Sequence, residues 1–446
     1  MSAPEHRYDV AVAGGGTAGV VAALAAARSG ARTVLIESKG YPGGLVVEGG
    51  TALHSFFNLW KAFPGVEKRQ VVRGVPSQIV DRLALIGGTS GHAEMTLGYG
   101  YDSVCTAVDT ELYKLVAFEM LAEAGVDAWM NTWLTDASVE GGRITSIGTH
   151  GRSGHEQIVA ATYVDTTGYG DLAAAAGASY TEPNDYPVAN SMGVGGVDVE
   201  AFHRWLVDHG ALAQYAEGQR GGSESRIVRL DANRTRLPEA FRREADAIGL
   251  AIVATTVHDG YFMFVKVNAP CDASPTSRAA ASRAELELRR RQYRAIDLIR
   301  SWMPGAERAF IARTSPSLCI RRGRCIECDY DITASDVVDG RHFPDDVASY
   351  GFHDFAPRIQ IKDGGTYGIP YRALLPRGLE NLLVAGMMIT SDHEAHMSTR
   401  NTVSCMAQGQ AAGTAAALCS ERDLTTRELN YPSLREALLA ADVYLE

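Results

Sequence analysis

The sequence predicts an α/β fold: a Rossmann-like dinucleotide-binding domain with an inserted, strand-rich substrate domain. Three features carry this expectation. A strand, glycine turn, helix, strand and acid open the chain in that order. A second strand runs into glycine near residue 168, and a third does so at Gly386 ahead of a small-residue helix. The length of 446 residues suits two or three domains at roughly 150 residues each.

Tyr8 to Ala13 is a short apolar run of the kind that fills a central parallel strand. It leads into Gly14-Gly15-Gly16-Thr17-Ala18-Gly19 and an alanine-rich helical segment to Arg28. Ala31 to Ile36 is a second strand, closed by Glu37. In this pattern Gly14 permits a tight turn, Gly16 lets backbone amides approach a pyrophosphate, and Gly19 lets the helix pack closely. The helix N-terminus adds partial positive charge. Glu37, 21 residues after Gly16, is placed to accept the ribose hydroxyls and disfavours a 2′-phosphate, hence NADP. The motif alone leaves NAD and FAD open. Gly40 to Gly44 then forms either a flexible turn or a loop against a pyrophosphate or ribityl chain.

Leu112 to Ala124 has helical spacing with Gly125 as its stop. Val126 to Trp133 and Leu134 to Val139 read as strands, and Glu140 to Arg143 as a hairpin turn before Ile144 to Thr149. The strand Gln157 to Val164 ends in Asp165-Thr166-Thr167-Gly168-Tyr169-Gly170-Asp171, with a helix from Leu172 to Ala176. Between 185 and 360 the character changes. Gly/Ser and Pro/Ser loops appear, and the helix Ala279 to Trp302 carries Leu286, Tyr293, Ile296 and Ile299 as an expected core stripe. Asn381 to Gly386 returns to the strand-to-glycine pattern. A loop with Ser391, Asp392, His393, Glu394 and His396 follows, then a helix from Thr402 to Leu418 whose small residues permit close approach. Segments 1–184 plus 361–446 are thus expected to form the nucleotide domain and 185–360 the substrate domain, with 50–105 contributing to the substrate pocket. A nucleotide domain opened and closed by distant segments suits the extended FAD better than NAD.

Composition narrows the partners. Apolar residues are 46% and charged residues 21%, which excludes wholesale disorder. The balance of 42 basic and 53 acidic residues gives −11, disfavouring nucleic acid and anionic membranes. Seven cysteines do not suggest a disulfide-stapled module. The residues from Met1 to Asp9 lack the order of a signal peptide, and the apolar stretch from Val10 is broken by glycine, so a cytoplasmic protein with a small-molecule substrate is expected.

The stretches DVAVAGGGTAGVVAALAAARSGARTVLIES, YVDTTGYGDLAAAAGA, YGIPYRALLPRGLENLLVAG and HEAHMSTRNTVSCMAQGQAAGTAAAL resemble the FAD-dependent oxidoreductases of the glutathione-reductase-like flavoprotein group. More narrowly they resemble a bacterial branch known mainly by its fold, and the similarity covers most of the chain outside about 185–310. The resemblance implies FAD as cofactor. Gly14, Gly16, Gly19 and Glu37 would hold its AMP half, with Thr17 and Ala18 also cofactor-binding and Gly43 and Gly44 on the pyrophosphate and ribityl side. Gly168 would stand at the second glycine turn, Gly386 at the closing strand, and Arg400 near the flavin. The sequence departs from that branch at Met387, where a basic residue is usual, and at Tyr169, where a smaller or acidic one is usual.

A flavin performs the hydride transfer, so the protein must place the substrate, tune the ring and handle a proton. Arg400 and the N-terminus of the 402–418 helix would supply positive potential. His393 and His396, in the loop where the ring should lie, are the candidate bases, with His54 behind them. Cys325 and Cys328 read as unrelated thiols on opposite faces of a strand rather than a redox pair, and no metal-ligand spacing accompanies them. Arg321, Arg322 and Arg324 either pair with nearby carboxylates or bind a substrate carboxylate. Tyr261 to Phe264 either closes the inserted core or walls the pocket. The expected function is FAD-dependent dehydrogenation of a small organic substrate, reoxidised by an external electron acceptor. A monooxygenase and a flavin-bearing electron-carrier subunit are the alternatives.

Overall fold

β-Branched and alanine-rich segments meet first in the opening strand, whose residues Val10 to Ala13 are fully buried. The computed structural model describes residues 4–49, 53–54, 58–59, 69–97, 104–220, 225–251, 253–351, 361–362 and 365–446, with the side chains of 53–54 and 58–59 outside the description. The strand Glu5–Ala13 lies at the centre of a parallel array. Thr33–Glu37 and then Asp127–Met130 flank it on one side, and Gly154–Asp165 and then Leu382–Val384 on the other. Ala13 is in register with both Ile36 and Asp165, and Asp165 with Val384. Their carboxyl ends therefore finish level, where open α/β sheets bind ligands. An antiparallel meander, Trp133–Glu140 and Arg143–Gly151, extends the sheet through Gly154–Asp165.

The helix Thr17–Arg28 crosses Thr402–Glu421 in direct backbone contact. A Cβ on Gly409 would stand 2.2 Å from the Ala18 carbonyl oxygen, and one on Gly413 2.1 Å from that of Ala22. Glycine and alanine at four-residue spacing make this approach possible, as the small-residue pattern predicts.

The inserted body has its own core, running from Val188 to Ile320. A four-stranded sheet, Leu250–Ala251, Tyr261–Ala269, Val188–Gly195 and Phe310–Thr314, packs on the helix Arg278–Trp302. A second sheet joins Leu212–Glu217 to Thr89–Leu97, so the 89–108 segment shares a sheet with the insertion. Ile326, Cys328, Ile332, Val337, Val347 and Tyr350 belong to the first core. The second core thus ends well before residue 360.

Three expectations need correction. Leu286 and Tyr293 are 55% and 73% exposed, whereas Ala284, Leu288, Gln292, Ala295, Ile296 and Ile299 face the sheet. Leu286 and Leu288 differ by about 200° around a helix, and the buried face is built partly of alanine, which a search for large side chains passes over. His393 and His396 lie in a helix, His393–Thr399, not a loop; Asp392 caps it by accepting from Ala395 N–H at 2.7 Å. Cys325 and Cys328 share no continuous strand: Cys325–Ile326 is a two-residue strand and Cys328 forms an isolated bridge to Pro376; both thiols are buried and outside any disulfide. The aromatic run divides as alternation requires, Phe262 entering the second core and Met263 a smaller third one. Among the described residues no helix is long and apolar enough to cross a membrane.

Candidate functional site

The level strand ends open on a cavity of about 460 Å³, within the ~300–1,000 Å³ usual for small-molecule sites. Its lining converges from distant segments. Gly14, Gly16, Thr17 and Ala18 come from the first turn, Glu37 to Lys39 from beyond the second strand, and Thr166 to Tyr169 from the second glycine turn. Ala385 to Met387, Arg400, Thr402 and Cys405 complete it from the C-terminal region.

Backbone contact builds the floor. Gly14 has φ +96°, and a Cβ there would fall 2.7 Å from the Thr166 carbonyl oxygen. A Cβ on Gly44 would come within 2.8 Å of Gly16 Cα, and Gly43 N–H donates to Gly15 O at 2.8 Å. Gly16 differs, because a Cβ there meets no protein atom closer than 3.9 Å. The space beside it is cavity. Thr166 Oγ1 donates to Gly14 O at 2.7 Å, tying the second turn to the first. That second turn hangs on Asp165, fully buried, whose carboxylate accepts from Thr167 N–H at 2.9 Å and Ala173 N–H at 2.8 Å. Burial lifts its pKa to about 6, opposed by those bonds.

The buried Glu37 carboxylate accepts from Gly15 N–H and Lys39 N–H, each at 2.8 Å, one on each oxygen. Ser38 Oγ also donates, at 3.1 Å, to the oxygen that accepts from Lys39, so it is the oxygen bonded to Gly15 that keeps acceptor capacity toward the cavity. Neither of the two long helices that begin at the cavity has a side-chain cap: Gly16 and Asn401 leave the first amides of Thr17–Arg28 and Thr402–Glu421 open. Asp109, Asp198, Ser277 and Asp392 cap helices that do not line the cavity. Open amides at the positive end of a helix dipole suit phosphates and other electron-rich groups.

Ser317, Leu318 and Ile320 bring the inserted body to the same cavity. A buried clasp holds them there. Glu48, itself cavity-lining, pairs with Lys39 Nζ and accepts from Ser317 Oγ at 2.9 Å, while its backbone oxygen accepts from Ser191 Oγ and Arg313. The family model for FAD dependent oxidoreductases matches residues 9–438. The chain belongs to the FAD-dependent oxidoreductase family.

The oxidoreductase is similar to a geranylgeranyl bacteriochlorophyll reductase-like protein from Thermoplasma acidophilum, at 13% identity and TM-score 0.49, over 98% of this chain and 83% of that one. It is similar also to p-nitrophenol 4-monooxygenase from Pseudomonas putida, at 14% identity and TM-score 0.46, over 98% and 89%. A flavin-dependent brominase gives 11% identity and TM-score 0.46, over 98% and 84%.

The cavity of this FAD-dependent oxidoreductase fits the cofactor on three counts: the Gly16 cleft, two uncapped helix N-termini, and the Glu37 acceptor. Gly14, Gly16, Thr17, Ala18, Glu37, Gly44, Gly168, Gly386 and Arg400 all line it. Gly19 and Gly43 act behind the lining: a Cβ on Gly19 would stand 1.8 Å from Gly14 O, and one on Gly43 2.6 Å from the Val47 side chain. Tyr169 and Met387, the two departures from the family pattern, line the cavity and also pack on the inserted core. They join the two bodies.

His393 and His396 are not in the lining. His393 Nδ1 meets the Asp185 carboxylate at 2.7 Å, and its ring stacks on Tyr186. His396 is fully buried, with Nε2 at 2.7 Å from the Arg321 carbonyl oxygen. Burial, reinforced by Arg400, drives its pKa well below the ordinary value, so the ring is neutral and Nε2–H donates. Arg322 bonds Asp185 at 2.9 Å and Arg324 bonds Asp171 at 2.8 Å, which commits both to carboxylates. The His54 side chain lies outside the described residues.

Sequence reading missed Gly15, Glu48 and Gln408. A Cβ on Gly15 would lie 2.9 Å from Glu37 Cβ, and the unbroken Gly14 to Gly16 run was its visible signal. Gln408 accepts from Gly386 N–H at 2.8 Å and donates to Thr399 O at 2.8 Å. Neither Gln408 nor Glu48 has a local signature; the Glu48 clasp reaches a partner 269 residues away.

Proposed function

We propose that this oxidoreductase dehydrogenates a small organic molecule, with an external acceptor regenerating the oxidised cofactor. FAD, when bound, supplies the hydride acceptor. The chain's residues bind and orient it: Glu37 takes the ribose hydroxyls, the Thr17 end of the first helix and Gly14 to Gly16 take the pyrophosphate, and Gly168 and Gly386 border its middle. Arg400 and the open amides of Thr402–Glu421 place positive potential at the far end. Ser317, Leu318, Ile320, Tyr169 and Met387 wall that space and exclude water. The observation that supports this reading is the inserted body lining the same cavity as Arg400 and Thr402. A histidine base is left out of the proposal, because neither His393 nor His396 reaches the lining.

The test is anaerobic. Oxidised protein mixed with a panel of alcohols, amines and hydroxy acids is expected to lose its visible flavin band with one class of compound, without any nicotinamide. Bleaching by NAD(P)H alone, followed by oxygen uptake dependent on an organic substrate, would replace dehydrogenation by monooxygenation.

A further inference from the structure

We propose that Trp133 is the adenine platform of the FAD site, its indole stacking on the purine face and closing the adenosine end of the cavity. Trp133 lines the cavity and is 60% exposed. No ring of a described residue packs against it, whereas Trp129 four residues earlier is held edge-on by His6 and Tyr8. Its place follows from a stitched turn. Asn131, at φ +54°, reverses the chain between Asp127–Met130 and Trp133–Glu140. Asn131 N–H donates to Lys39 O and Thr132 N–H to Glu37 O, each at 2.9 Å. Trp133 is therefore one residue from a bond to Glu37, whose carboxylate is placed for the ribose.

Direction along the ligand decides which group meets it. The pyrophosphate lies toward Gly14 and Gly16, and the adenine lies across the ribose from it. The lining joined to Glu37 through the chain or through its carbonyl is Ser38, Thr132, Trp133 and Leu134, whereas the Lys39 side chain turns away to Glu48 and Ser317. Trp133 is the aromatic member of that set. A purine has two apolar faces and prefers an aromatic surface over water, and a large exposed indole gains by being covered. Any base has such a face, so stacking supplies affinity while the Glu37 carboxylate supplies selection at the ribose.

Apoprotein of wild type, Trp133→Phe and Trp133→Ala is titrated with AMP and with FAD, following heat release and tryptophan emission. Trp133→Ala is expected to weaken both ligands by the same factor, about 10- to 100-fold, with an unchanged melting temperature because the side chain is exposed. Trp133→Phe is expected to keep most of the affinity. AMP is expected to quench emission in wild type and not in Trp133→Phe. Wild-type affinity for both ligands in Trp133→Ala would overturn the proposal, as would quenching that persists in Trp133→Phe, and FAD binding would stand in either case. Wild-type apoprotein that binds FAD but not AMP would also overturn it, by showing that the adenosine end has no site of its own.

Discussion

Gly16→Val is expected to give a folded, colourless protein. At Gly16 φ is −74°, which valine adopts freely, and the nearest protein atoms to a Cβ are 3.9 and 4.0 Å away. Valine is a poorer N-cap than glycine, so the apoprotein should lose about 1 kcal/mol of stability. The methyl groups, however, occupy the cleft where the first helix offers its open amides. Losing two charge-assisted hydrogen bonds at about 2 kcal/mol each weakens FAD binding by roughly 1,000-fold. Melting curves of apoprotein and the flavin content after purification check both halves. A Gly16→Val protein that retains full flavin would move the pyrophosphate away from this turn.

Gly409→Val is expected to fail in the opposite way, by weakening the fold itself. Its Cβ would stand 2.2 Å from Ala18 O, a backbone atom that cannot rotate aside. The two helices must separate, and both begin at the cavity, so the Ala18 side and the Thr402 side shift together. Overpacking of this kind costs about 3 kcal/mol or more. The apoprotein's denaturant midpoint should fall accordingly, and flavin should be lost along with stability. An unchanged midpoint would show that the helix crossing is looser than its backbone contacts state. Together the two valines separate a glycine that makes room for a ligand from one that makes room for a helix.

The parts of the site that were legible in the sequence are those made by short-range chemistry. Tyr8 to Glu37 announces its strand, turn, helix and acid because each step uses residues whose backbone preferences point one way. The Gly and Ala spacing of the C-terminal helix likewise states that a neighbour comes close. Glu48 was invisible, since its value lies in Ser317 and Lys39, brought to it only by the fold. Gln408 was hidden for the same reason, as a polar residue in an apolar helix whose acceptor meets Gly386. The helix His393–Thr399 had a readable start in Asp392, followed by Glu394 in the first turn and no glycine or proline. With that cap in place, its histidines stand on a helix rather than in a loop. Leu286 and Tyr293 are large yet exposed, because the helix faces the sheet with the smaller Ala284 and Ala295.

The most direct measurement is difference electron density in crystals of the protein grown with FAD. One continuous ligand is expected, from beside Glu37, past Gly16 and Gly168, to a tricyclic ring at Arg400 and the start of Thr402–Glu421. Density for a nucleotide at Gly14 with no ring beside Arg400, or FAD bound elsewhere on the surface, would contradict the convergence of these segments on a single cofactor.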